Sequence, residues 1–226
     1  MIRAILLDIE GTTTPIAFVH EVLFSYARDH AKEFLASNAD PEDIARLREE
    51  HAADISNGDQ PPAELAAYIE WLIARDRKST GLKSLQGRIW RQGYLDGTLK
   101  SQVYDDVAPA FAGWQARGLT INIFSSGSVL AQQLLFEHTN AGDLTKFIDQ
   151  YFDTTVGKKG DAGSYQRIAE RLNLPPSEVM FISDVVAELA AAHEAGMQVL
   201  LSIRPGNAPQ KNAEQYRAIH SFDELL

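Results

Sequence analysis

Residues 4–16 read AILLDIEGTTTPI. The stretch begins as a continuous apolar run, Ala4-Ile5-Leu6-Leu7, and passes at once into Asp8, Glu10, Gly11 and three threonines. Such a run suits a strand buried on both faces of a parallel sheet. The carboxylates and hydroxyls that close it suit a solvated turn. They equally suit a ligand site, because parallel α/β sheets bind ligands beyond the carboxyl ends of their strands. The rest of the chain decides between the two.

With residues 2–7, three further runs, 119–124, 179–182 and 198–203, have the same apolar, β-rich character. Helical patterns separate the last three. Residues 129–137 follow the second run and 164–172 precede the third. Residues 187–195 lie between the third and fourth and stop at Gly196, a good C-terminal stop. Strands alternating with helices predict an α/β fold with a doubly wound parallel sheet. The interval 16–100 breaks that rhythm. It carries helical patterns at 20–37, 41–51, 62–74 and 82–94, has no convincing strand, and is punctuated by Asn57-Gly58, Pro61-Pro62 and Gly81. About 85 residues is too long for a simple crossover. The expectation is an all-helical cap domain, 16–100, inserted into a discontinuous core made of 1–15 and 101–226. The segment 204–215, with Pro205-Gly206-Asn207-Ala208-Pro209, reads as a surface loop.

Composition narrows the function. A chain of 226 residues, 45% hydrophobic and 23% charged, is ordinary for a globular protein. The net charge of −10 argues against a general nucleic-acid surface, and it requires any phosphate site to be locally positive. The lack of cysteine removes disulfides, thiolate chemistry and Cys-based zinc sites. No signal-peptide pattern and no apolar run of ~18 residues is present, so a soluble cytoplasmic protein with no membrane partner is expected. The default is a monomer that acts on a small molecule.

Three strand ends carry unusual polar sequence: Asp8-Ile9-Glu10, Ser125-Ser126-Gly127-Ser128, and Ser183-Asp184 with Glu188 four residues on. A lysine pair, Lys158-Lys159, precedes the third. Each has a plain structural reading. The serines suit helix caps, the acids a solvated turn, and the lysines a solvated surface. Their coincidence at one sheet edge points further. Like charges ~4 Å apart cost roughly 4 kcal/mol at an effective dielectric near 20. Carboxylates gathered there need a cation or a proton. All-oxygen ligands from few carboxylates suit Mg²⁺, which keeps several waters and shares a phosphate. Hydroxyls and backbone N–H groups at a helix start suit phosphate oxygens, and a lysine supplies the missing positive charge. Asp8 can then attack phosphorus, and Glu10 can protonate the leaving oxygen and later deprotonate water. Ser126 and Lys159 can hold the phosphoryl oxygens, while Asp8 and Asp184 hold Mg²⁺.

On Asp8-Ile9-Glu10-Gly11-Thr12, Ser125-Ser126-Gly127, Lys159 and Ser183-Asp184 with Glu188, the chain resembles the haloacid dehalogenase (HAD) superfamily. Glu10 stands where the usual D-x-D-G-T motif has its second aspartate. That departure and the run Thr12-Thr13-Thr14-Pro15-Ile16 are similar to one branch, the enolase-phosphatase (acireductone synthase) family of methionine salvage. Further matches are Leu85-Gln86-Gly87-Arg88-Ile89-Trp90, residues 124–129, Phe152-Asp153-Thr154 and Arg204-Pro205-Gly206-Asn207-Ala208. The resemblance implies a HAD-like core with an inserted helical cap. It also implies metal-site roles for Asp8, Asp184 and Glu10, the last through its main-chain carbonyl, and substrate-binding positions at Ser125 and Ser126. It favours Lys159 over Lys158, because the family places its lysine second after the glycine, here Gly157. The family enolises 2,3-diketo-5-methylthiopentyl-1-phosphate and then removes its phosphate. The residues themselves support phosphoryl transfer and do not display enolisation. Another HAD-type phosphatase, a dehalogenase, a mutase and a non-catalytic phosphate-binding module are the competing readings. A mobile cap over the strand ends would exclude water and read the rest of the substrate. Trp90 and Tyr94, four apart on one helix face, are either its contact residues or its own core.

Overall fold

The computed structural model describes residues 1–37, 40–75, 77 and 79–225. The chain divides into two compact units, residues 1–19 with 100–226, and residues 20–99.

The first unit holds a six-stranded sheet in which every pairing is parallel. Its strands are β1 (Ala4–Leu7), β2 (Thr120–Phe124), β3 (Gln150–Phe152), β4 (Val179–Ser183), β5 (Gln198–Ser202) and β6 (Ala218–Ile219). The spatial order is β3-β2-β1-β4-β5-β6, so β1 lies inside the sheet between β2 and β4. Leu7 pairs with Ile123 on one side and Ile182 on the other, which brings the ends of these strands level. All four residues of β1 are buried, as a strand covered on both faces requires. Alternation sends Ala4, Leu6, Phe124 and Phe181 to a core shared with Tyr165, Ile168 and Leu189. These come from α7 (Ala162–Leu172) and α8 (Val186–Glu194). The unit also contains α5 (Val107–Ala116) and α6 (Val129–Glu137), joined by the Phe111–Phe136 ring contact at 6.1 Å.

Three features depart from the sequence reading. Strands β3 and β6 and helix α5 were not anticipated, and the run at 179–182 is the fourth strand in the chain. Strands of three and two residues are too short to carry a periodicity. The segment 204–215 is not simply a surface loop, because Arg204 is buried.

The second unit is helical: α1 (Phe24–Ser37), α2 (Pro41–Ser56), α3 (Leu65–Ala74) and α4 (Thr80–Leu95). A π-helical turn, Phe18–Leu23, leads into α1. Glu50 of α2 accepts from the Thr80 and Gly81 amides at 3.0 and 3.1 Å, satisfying orphan donors at the start of α4. Arg88 pairs with Asp40 and Asp43 at 2.9 Å each, tying α4 to the start of α2. Trp90 and Tyr94 are buried, and the Trp90 indole donates to the Leu23 carbonyl at 2.8 Å and stacks on Phe24. That is the behaviour of residues filling their own unit's core.

Candidate active site

The turn after β1 winds around one carbonyl. The amides of Thr12, Thr13 and Thr14 all donate to the Ile9 oxygen, at 3.2, 2.9 and 2.9 Å. Gly11 closes the turn with its amide on the Thr14 carbonyl at 2.8 Å, and its φ of +67° is the left-handed conformation that glycine adopts without strain. Thr13 also directs its hydroxyl at the Ile9 carbonyl, 3.2 Å away. The threonine row is therefore inward-facing: all three are fully buried. Asp8 leaves the end of β1 with its amide still on the Ile182 carbonyl, so the sheet itself sets the direction of its side chain.

Lys159 reaches this point from the other side. Its ammonium lies 2.6 Å from Asp8 Oδ1 and 2.7 Å from Glu188 Oε2. The backbone beneath it is fixed from α7, where Tyr165 donates its hydroxyl to the Lys159 carbonyl and Ser164 donates to the Lys158 carbonyl, both at 2.8 Å. Gly157 adopts φ +132°, and a Cβ there would fall 2.2 Å from Ser164 Oγ, so this approach to α7 needs glycine. Lys158 is exposed; of the two lysines, Lys159 is the one at Asp8. Ser183 at the end of β4 donates to Glu188 Oε2 at 3.0 Å and stands 3.5 Å from Asp8 Oδ2. Its hydroxyl also accepts the Val185 amide, which ties the cluster to the start of α8.

The electrostatics follow from two buried carboxylates, Asp8 and Asp184, and the half-buried Glu188 around one ammonium. Burial by itself would lower the Lys159 pKa, but Asp8 and Glu188 outweigh it, and the ammonium is held well above its ordinary value. Burial, then the Asp8 charge, push Glu188 up to about 7 against the opposing pull of Lys159. Burial, then the charges of Asp8 and Glu188, push Asp184 up to about 7 as well. Such a surplus of negative charge is relieved by a proton or by a cation.

A small hard cation fits what is present. Asp184 lies directly over the Gly11 Cα, where a Cβ would meet its Oδ2 at 2.5 Å. Among the described residues no three His, Cys, Asp or Glu side chains are grouped so as to hold a metal by themselves. The carboxylates of Asp8 and Asp184, completed by a main-chain oxygen and waters, would be the kind of oxygen set that Mg²⁺ accepts, since it retains several waters.

Ser125 and Ser126 follow β2, the neighbour of β1, and so sit at the same edge of the sheet. Ser125 is buried; its amide donates to the Phe152 carbonyl and its hydroxyl accepts from the Gly127 amide, each at 3.1 Å. Ser128 caps α6 by accepting from the Ala131 amide at 3.3 Å, which is the plain structural role for that one serine. Glu10 is half-buried in the turn beside Gly11.

The residues that brace this turn carry no role in the sequence, where Arg204 and Asn207 stand only within a family match. Ser202 Oγ and Asn207 Nδ2 donate to the Gly11 carbonyl at 3.2 and 2.9 Å. Arg204 Nε donates to the Thr12 carbonyl at 3.2 Å. The Arg204 guanidinium pairs with Asp106 at 2.8 Å and packs between the Tyr104 and Phe222 rings. The available signal is position: these residues end or follow the fourth apolar run, at the carboxyl edge where ligands bind.

The chain is similar to known proteins over nearly its whole length. A family model for haloacid dehalogenase-like hydrolases matches residues 2–196. The enolase-phosphatase E1 of Synechococcus elongatus is 53% identical, with 99% of this chain and 98% of that protein covered. A Populus trichocarpa protein named "probable bifunctional methylthioribulose-1-phosphate dehydratase/enolase-phosphatase E1" is 45% identical over 99% of this chain and 47% of its own length. The crystal structure of the UTR4 protein of Saccharomyces cerevisiae superimposes with a TM-score of 0.81 at 35% identity, covering 99% of both chains. With its Asp8–Lys159–Glu188 cluster at the edge of a parallel sheet, the chain belongs to the enolase-phosphatase E1 family of the haloacid dehalogenase-like hydrolases.

Proposed function

We propose that the protein is a Mg²⁺-dependent enolase-phosphatase that converts 2,3-diketo-5-methylthiopentyl-1-phosphate to an acireductone and inorganic phosphate, the reaction of methionine salvage. The observation that carries the reading is the Lys159 ammonium shared between Asp8 and Glu188. It gives a phosphate an ammonium to bind on a chain of net charge −10, and leaves the surplus negative charge around it for Mg²⁺ to balance. Family membership supports the substrate class, and hydrolases of this kind generally use Mg²⁺.

In the proposed dephosphorylation, Asp8 Oδ2 attacks phosphorus and the ester P–O bond breaks. Lys159 holds Oδ1, which fixes the rotation of the carboxylate, and Oδ2 stands 3.5 Å from Ser183 Oγ. Glu10 gives its proton to the leaving oxygen. As a carboxylate it then takes a proton from water, whose oxygen attacks the aspartyl-phosphate. The P–O bond to Asp8 breaks, phosphate leaves, and Asp8 is restored. Ser125, Ser126 and Lys159 hold the phosphoryl oxygens as charge redistributes. Asp8, Asp184 and the Glu10 carbonyl would hold Mg²⁺, which supplies charge neutralisation and Lewis acidity towards a substrate oxygen. Glu188 keeps Lys159 protonated and in place.

The test is incubation of the purified protein with the diketone phosphate and Mg²⁺, following enol absorbance and free phosphate separately. Both signals should appear, the enol first. Phosphate release from a generic aryl phosphate without turnover of the diketone would favour another small-molecule phosphatase. No phosphate release from either would favour a binding module.

A further inference from the structure

The segment Arg204-Pro205-Gly206-Asn207 takes no part in the chemistry above, yet its side chains converge on the turn that carries Glu10. Asn207 is the informative one. Its Nδ2 donates to two carbonyls, Gly11 at 2.9 Å and Ser202 at 3.3 Å. Carbonyl oxygens need a donor, so this pairing fixes which end of the amide faces them. The other end, Oδ1, is buried and has no hydrogen-bond partner among the described residues. It lies 2.9 Å from the point above Gly11 where a Cβ would stand, and Asp184 Oδ2 lies 2.5 Å from the same point. Two acceptor oxygens thus converge over one glycine. An unmet buried acceptor is destabilising, so a donor in this space is strongly favoured. A water held by a cation on Asp184 is such a donor.

We propose that Asn207 is a positioning residue of the metal site, which clamps the Gly11 carbonyl through Nδ2 and offers Oδ1, beside Asp184, as the acceptor for a water of the bound Mg²⁺. The inference rests on the Mg²⁺ site proposed above. It explains why glycine occupies position 11, since any side chain there would fill the space that the two oxygens share. It also separates the duties of the brace: Ser202 and Arg204 meet the turn only at its carbonyls, whereas Asn207 has one end on the turn and one in the site.

The test is calorimetric titration of the full chain with MgCl₂, with the melting temperature of the metal-free protein measured alongside. Asn207→Ala should weaken Mg²⁺ binding about 10- to 100-fold, the range for outer-shell partners. Asn207→Asp, which keeps an acceptor oxygen and loses the donor, should bind Mg²⁺ as tightly as wild type or tighter. Ser202→Ala, which removes a clamp and no acceptor, should leave affinity unchanged. Equal Mg²⁺ affinity of Asn207→Ala and wild type would overturn the inference. So would a loss in Asn207→Asp matching that in Asn207→Ala, because the clamp alone would then account for both. If Asn207→Ala does not fold, a loss of affinity in Asn207→Asp with Ser202→Ala unchanged is the overturning result, and retained affinity in both supports the acceptor role. Failure of the wild-type chain to bind Mg²⁺ would remove the metal site itself and this inference with it.

Discussion

The Lys159 ammonium lies 2.6 Å from Asp8 Oδ1, 151 residues away in sequence, and 2.7 Å from Glu188 on its other side. One cation thus serves two carboxylates in a buried site. Removing it leaves two like charges with a neutral hydroxyl, that of Ser183, and no cation to offset them. Lys159→Met should destabilise the protein by about 3–5 kcal/mol, the cost of stranding buried charge. Urea denaturation measures this. Adding Glu188→Gln should recover part of the stability and none of the activity. If the double variant is no more stable than Lys159→Met, the carboxylate repulsion is not what the lysine relieves.

Asp8→Asn keeps the shape of the side chain and removes the nucleophilic oxygen. Phosphate release should fall by at least about 10³-fold, close to 4 kcal/mol of barrier at 1.36 kcal/mol per decade. Folding should persist, because the amide still occupies the same space. Comparable turnover in this variant would rule out the covalent route.

Asp184 and Glu188 both sit at about 7 in the folded protein, raised first by burial. An acid whose pKa is raised by folding binds its proton more tightly in the native state. The unfolded chain loses that proton near pH 4, and the native protein does so near pH 7. Between those values the metal-free protein should therefore lose stability as pH rises, most of it by about pH 7. Mg²⁺ needs the ionised carboxylates, so the stabilisation it gives should grow over the same interval. Melting temperatures from pH 5 to 8, with Mg²⁺ and with chelator, test both signs. Asp184→Asn should abolish the growth with pH; a metal effect that is flat across this range would argue against Asp184 as a ligand.

Gly11 meets two demands at once, a φ of +67° and the absence of a side chain beneath Asp184. Gly11→Ala should cost more in Mg²⁺ affinity than in folding, because the Asp184 carboxylate must move to clear the new methyl group. Titration of the variant with Mg²⁺ beside its denaturation midpoint separates the two. Unchanged affinity would mean that the close approach of Asp184 to Gly11 is not needed for the metal.

What the sequence revealed and what it hid have physical reasons. β1, β2, β4 and β5 were legible because a strand covered on both faces is continuously apolar, as Ala4-Ile5-Leu6-Leu7 is. The polar residues at their ends were legible because that composition is abnormal for a buried strand. Arg204 was not legible. Next to Pro205-Gly206 it looks like loop, and its partners Asp106 and Tyr104 are far away in sequence. Asn207 was hidden in the same way, since an Asn after Gly206 reads as turn chemistry until its amide is seen on the Gly11 carbonyl. Local pattern reports what a residue can form with its neighbours. A brace assembled from the other end of the chain leaves no such trace.

Glu10 divides the two halves of the proposed reaction. It is one methylene longer than the aspartate usual at this place in the superfamily's motif, so its carboxyl can reach a different point above a bound phosphate. It can serve the ester oxygen alone, or the ester oxygen and a carbon acid in turn. An acid poised on the ester oxygen is poorly placed for a proton on carbon, which favours the first. Glu10→Gln keeps the shape and removes the titrating group. Enol phosphate should then accumulate while phosphate release drops about 10²- to 10⁴-fold, the usual contribution of a general acid. Rapid-mixing absorbance follows the enol, and a phosphate assay on the same samples follows the second step. Parallel loss of both signals, with Mg²⁺ still bound by calorimetry, would show that Glu10 moves the carbon proton as well.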